Sequence, residues 1–133
     1  MKTNLDFLNE TFSIGENGEI ICDATIRLKL EDFPLDRKSV YDILKTRFDI
    51  NGKGVFHVWG KSMCGNEEFD FEKGAHIAET RMQAKAYNKA SRMYKLIIEE
   101  ICKIGDEFNT YRINCIKCEN HAGKHLKTLD ETL

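Results

Sequence analysis

The chain has 133 residues, 41% of them hydrophobic, 32% charged and 10% aromatic, which is one domain's worth of sequence with apolar material for a single core. A net charge of -2 argues against coating nucleic acid through bulk positive charge, but leaves room for a local basic site. Apolar runs stop at three or four residues, so no stretch is read as crossing a membrane.

The five cysteines are odd in number and are not spaced like a disulfide scaffold. The start, MKTNLDFLNE, is broken at once by Asp6 and Asn9 and carries no leader-like run. A reduced, cytoplasmic protein with free thiols is therefore expected. Cys22, Cys64 and Cys102 adjoin apolar positions and are expected as small core residues.

In chain order, TFSI, the turn GENG and EIICDATIRLKL predict a hairpin. From Thr25 on, Ile26, Leu28 and Leu30 face one way, Arg27 and Lys29 the other. EDFPLD is a loop, and Asp36 is the expected N-cap of RKSVYDILKTRF, where Val40, Ile43, Leu44 and Phe48 recur at helical spacing. DINGKG is a turn built on Asn51-Gly52, and VFHVWGKSMC is a strand rich in β-branched and aromatic residues. After the acidic loop GNEEFDFEKG, a long helix is predicted from about Asp70 to Ile104, ending at Gly105. TYRINCIKC alternates Tyr111, Ile113 and Cys115 against Arg112, Asn114 and Ile116 and predicts a last strand. Residues 119–133 are expected as a loose tail.

The order β-β-α-β-α-β predicts one α+β domain over 1–133, a two-layer sandwich. Its sheet would have four to five mainly antiparallel strands, covered by two helices, one of them long.

The long helix carries two stripes. Ala78, Met82, Ala86, Ala90 and Met93, continued by Ile97, Ile101 and Ile104, step by fours and threes. The small residues of this stripe let a backbone come close, either the chain's own sheet or a second copy; Ala78, Met82, Ala86, Ala90 and Met93 are the candidate interface. Roughly 120° away lie Arg81, Lys85, Lys89 and Arg92, flanked by Asn88. Like charges at this spacing repel by a few tenths of a kcal/mol per pair. The block lies mid-helix, where the macrodipole gives no reason for it. Three readings stand: a solvated face, ion pairs within the chain or across a dimer, or a site for an anion.

The segment GVFHVWGKSMCGNEEFDFEKGAHIAETRMQAKA, about a quarter of the chain, resembles small accessory proteins of phages and prophages of low-GC Gram-positive bacteria. The resemblance rests on Gly60, Ser62, Cys64, Glu68, Phe69, Asp70, Gly74, Ile77, Ala78 and Arg81, a strand ending in Cys, an acidic turn and a G-x-x-I-A-x-x-R helix start. It implies a phage-type accessory protein acting in the host cell's cytoplasm. Physically, the same pattern is a strand-turn-helix packing unit, with Phe69 as a hydrophobic staple before the cap Asp70.

His57 and Trp59 share one strand face and offer rings for stacking. Arg27, Lys29 and Arg112 are outward on their predicted strands, and beside VFHVWG they would make a positive face. Cys115, Cys118, His121 and His125 are zinc-type ligands, but too closely spaced for a usual module, so no metal site is assigned to them. No nucleophile stands beside its base and no phosphate-cradling glycine loop is present in the sequence. The chain is therefore expected to be a non-catalytic binder without a cofactor. Its expected partner is an anionic, nucleotide-like small molecule or a host protein, as in counter-defence. A nucleic-acid module using the basic helix, or an oligomeric interaction protein, is the alternative, and a homo-oligomer is expected. The candidate ligand residues are Arg81, Lys85, Asn88, Lys89, Arg92, His57, Trp59 and Arg112.

Overall fold

The computed structural model describes residues 3–30, 36–63 and 70–132. Their order is β-β-α-β-α: β1 (Leu5–Ile14), β2 (Ile20–Leu28), α1 (Arg37–Lys45), β3 (Val55–Ser62) and α2 (Phe71–Thr132). The chain divides into two compact units, Met1–Ile97 and Ile98–Leu133. The first contains the sheet, α1 and the beginning of α2; the second contains the rest of α2. Among the described residues no helix is long and apolar enough to cross a membrane.

The sheet is antiparallel in the order β1-β2-β3. The expected hairpin turn is present: Gly18 N–H donates to the Gly15 carbonyl at 3.1 Å, and Gly15 N–H to that of Glu19 at 2.8 Å. Gly18 has φ +78°, a conformation that glycine adopts without a Cβ clash. The Asn51 turn is also present. Its side-chain Oδ1 accepts from Lys53 N–H at 2.9 Å and Val55 N–H at 3.0 Å.

β2 alternates along its whole length, and Ile20, Cys22, Ala24, Ile26 and Leu28 are buried. Register places Phe56, Val58, Gly60 and Ser62 of β3 on that same face. α1 adds Val40, Tyr41 and Leu44 to the core. The Tyr41 hydroxyl donates to the Leu28 carbonyl at 2.8 Å, which satisfies a buried polar group. Asp70 caps α2 as expected, its carboxylate accepting from Lys73 N–H at 3.2 Å.

The small stripe of α2 packs on the chain's own sheet. Ala78, Met82, Ala86, Ala90 and Met93 are all buried within one chain. A Cβ on Gly60 would run into the Met82 amide nitrogen and lie 2.5 Å from the Ala78 carbonyl oxygen. Helix backbone thus rests on strand backbone, and these five residues are core positions, not a surface for a second copy.

Five expectations are corrected. The described sheet has three strands, not four or five. Residues 110–118 are helical rather than a strand, and 119–132 are helical rather than loose. Gly105 does not end α2, because a glycine inside a helix costs only about 1 kcal/mol and the ladder on either side offsets it. Consequently Cys102 and Arg112 are exposed on a helix, while Cys22 is buried as expected. Cys64, Glu68 and Phe69 of the phage-type pattern lie outside the described residues.

Candidate anion-binding groove

Among the described residues β3 is an edge strand, paired to β2 on one side. Leu28 N–H donates to the Gly54 carbonyl at 2.8 Å, which fixes the phase of the ladder. In an antiparallel pair, hydrogen-bonded and non-bonded positions alternate. The even residues of β3 therefore bond to β2, and the odd ones turn their N–H and C=O to the free edge. Two observations agree. Asn51 takes up both backbone groups of Val55, by its side chain and by its N–H, which donates to the Val55 carbonyl at 3.0 Å. Arg81 Nη1 donates to the Lys61 carbonyl at 2.8 Å. Between them, the backbone groups of His57 and Trp59 face outward along the edge.

α2 runs beside this edge because Gly60 and the alanines draw it onto the sheet. The stripe next to the buried one is thereby carried over β3. A groove of ≈ 470 Å³ results, lined by His57, Val58 and Trp59 from the strand and by Ala84, Lys85, Asn88, Lys89 and Arg92 from the helix.

Six of the eight predicted ligand residues meet here: His57, Trp59, Lys85, Asn88, Lys89 and Arg92. Arg81 stands at the end of the row and is committed to the Lys61 carbonyl, so it ties the helix to the strand. Arg112 is not part of the groove; it sits on the helix of the second unit. Arg27 is on the open sheet face opposite Val55. Cys115, Cys118, His121 and His125 are strung along one helix at 1.5 Å per residue, and no described group of three such residues converges on a metal position.

Sequence reasoning missed Val58 and Ala84, and it missed the strand edge itself. Ala84 had a signal, since it lies three residues after Arg81 and four before Asn88, on the basic stripe. The edge had none, because strand order is not written in local sequence.

The charges are held against rings. Lys85 Nζ lies 4.1 Å from the Trp59 ring centre, Lys89 Nζ 5.3 Å from that of Phe56, and the Arg92 guanidinium carbon 5.7 Å from that of Phe48. Each such contact contributes about 0.5–1 kcal/mol at an exposed site, enough to offset the repulsion between neighbouring bases. Among the described residues, none of Arg81, Lys85, Lys89 and Arg92 is paired with a carboxylate; the ion pairs found are Lys45–Asp42 and Lys103–Glu100. The His57 ring is set by Thr25, whose Oγ1 is 3.1 Å from Nδ1, leaving Nε2 free of that bond. Trp59 is 49% exposed, so part of its surface is open to a flat ligand.

A second locus, this one acidic, lies elsewhere on the sheet. Burial, and then the nearby Glu79 carboxylate, push the Glu10 carboxyl up from its ordinary value. Burial first, and then Glu10, Glu79 and Asp23, push the Cys22 thiol up to about 11, so it stays neutral and unreactive. The basic groove and this acidic locus belong to the same small unit. Comparison of the chain with protein-family models, curated proteins and solved structures finds no match.

Proposed function

We propose that the chain is a non-catalytic binding protein of phage-accessory type, and that its groove holds an anionic small molecule with a flat ring, of nucleotide class. The observation that carries this reading is the convergence of Lys85, Lys89 and Arg92 with His57 and Trp59 in one groove. Its volume falls in the range of about 300–1,000 Å³ common to small-molecule sites. Lys89 and Arg92 would take phosphate oxygens by charge-assisted bonds. Trp59 would stack on the ring, and Asn88 and the outward N–H groups of β3 would supply uncharged hydrogen bonds. Sequestering such a signal molecule is the use that the resemblance to phage accessory proteins suggests.

The test is a thermal-shift panel of mono-, di- and cyclic nucleotides, run on the native chain and on Lys85→Glu with Arg92→Glu. At a hundredfold excess over Kd, binding stabilises by about 2.7 kcal/mol, so a rise of several degrees is expected with at least one member. The double variant should keep its own melting temperature and lose the response. No shift with any member contradicts the reading. Retardation of an oligonucleotide that fades steeply with salt, without any response to nucleotides, would assign the groove to nucleic acid instead.

A further inference from the structure

The second unit poses a separate problem. Its helix is exposed from Ile101 to Glu131, and among the described residues no packed apolar face supports it. Isolated helices are marginal in water, and most helices owe their stability to a packed apolar face. Charge does not replace that face here, since among the described residues the ion pair within the unit is Lys103–Glu100. Gly105 and Gly123 weaken the helix further.

The residues left in water form a seven-residue repeat. Ile101, Phe108, Cys115, Ala122 and Leu129 step by exactly seven, which makes them the a positions of a heptad. Ile104, Tyr111, Cys118 and His125 follow three residues after each and are the d positions. Between Ile101 and Leu129 there are eight Asp, Glu, Lys and Arg residues, and none of them falls on a or d. Phe108 is 68% exposed and Tyr111 64%. On aromatic side chains of about 150–250 Å², these two alone leave roughly 200–300 Å² in water. That approaches the largest apolar patch of a typical monomer, about 300–600 Å², before the isoleucines and Leu129 are added.

We propose that residues 101–129 form a parallel, in-register two-stranded coiled coil with a second copy of this chain. A strict 3.5-residue seam fits another helix carrying the same seam, and a copy of itself supplies one. The parallel orientation provides a cross-chain charge match. Glu107 is at g and Arg112 at e, and in a parallel pair the g residue of one chain meets the e residue five positions on in the other. Glu107 of each chain then faces Arg112 of its partner, twice per dimer. Cys102 is at b and faces outward. Ile113 and Ile116 are also exposed, at 42% and 41%, but they stand at f and b, off the seam.

Those two isoleucines make the test specific. The full chain is measured by size exclusion with light scattering under reducing conditions, with Trp59 emission as a check that the first unit is folded. The native chain should run at twice the chain mass. Phe108→Lys with Tyr111→Lys should run as a monomer with unchanged Trp59 emission. Ile113→Lys with Ile116→Lys, the same charge added off the seam, should remain a dimer. Glu107→Arg should weaken the dimer several-fold, and adding Arg112→Glu should restore it. A native monomer at about 100 μM, three or more chains per particle, or equal behaviour of the two lysine pairs would overturn the proposal. Failure of the charge exchange to restore the dimer would overturn its parallel register.

Discussion

Glu10 shows how single residues set conditions for this fold. It stands on β1 opposite Ala24, exposed at the margin of the covered face, with Glu79 of α2 as its charged neighbour. Burial first and that carboxylate second raise its pKa in the folded state above the ordinary 4.5. The folded chain therefore holds this proton more tightly than the unfolded one. The contribution to stability is complete below the unfolded pKa and is lost as pH rises through the folded one. Glu10→Gln removes the charge that is out of place, so its melting temperature should exceed that of the native chain at about pH 7, and the difference should vanish near about pH 4. A gain that is the same at both pH values would place its origin elsewhere.

At the scale of elements, the contact of α2 with β3 decides where the groove lies. Gly60 has no side chain, so the helix can approach until the Ala78 carbonyl and the Met82 amide border the strand. Gly60→Ala inserts a methyl group against helix backbone, which cannot swing aside like a side-chain tip. A loss of about 1–3 kcal/mol is expected in urea denaturation, together with weaker ligand binding, because the basic stripe would lift off the edge. Gly123→Ala, with nothing near it, should leave stability of the first unit unchanged. Much of this element was legible beforehand. The Ala-rich stripe and the basic stripe are both fixed by helical spacing, and the hairpin by its turn residues. The C-terminal part was misread because Tyr111, Ile113 and Cys115 alternate with period two over a short window. The same window also satisfies the heptad Phe108, Tyr111, Cys115 and Cys118, and only the longer run from Ile101 to Leu129 separates the two periods. Gly105 added to the error, being a common C′ residue that here lies inside the helix.

For the whole molecule, a formal charge of -2 conceals how the charges are distributed. The first unit gathers three cations into a groove with two aromatic or imidazole rings, and the second leaves an apolar heptad seam in water. On the two proposals made above, the first unit holds a small anion and the second joins copies, and one ligand per chain is the expected stoichiometry. A groove lined with cations attracts an anion at long range, so affinity should fall as salt is raised. The chain's single tryptophan is Trp59, which lies in the groove beside Lys85. Its emission is therefore a direct reporter of occupancy. The decisive measurement is a fluorescence titration with nucleotides on the native chain and on Lys85→Glu with Arg92→Glu. The expected result is a saturable change in Trp59 emission, weaker at high salt and absent in the double variant. Unchanged emission with every nucleotide up to about 10 mM, or the same response in both proteins, would contradict an anion site in this groove.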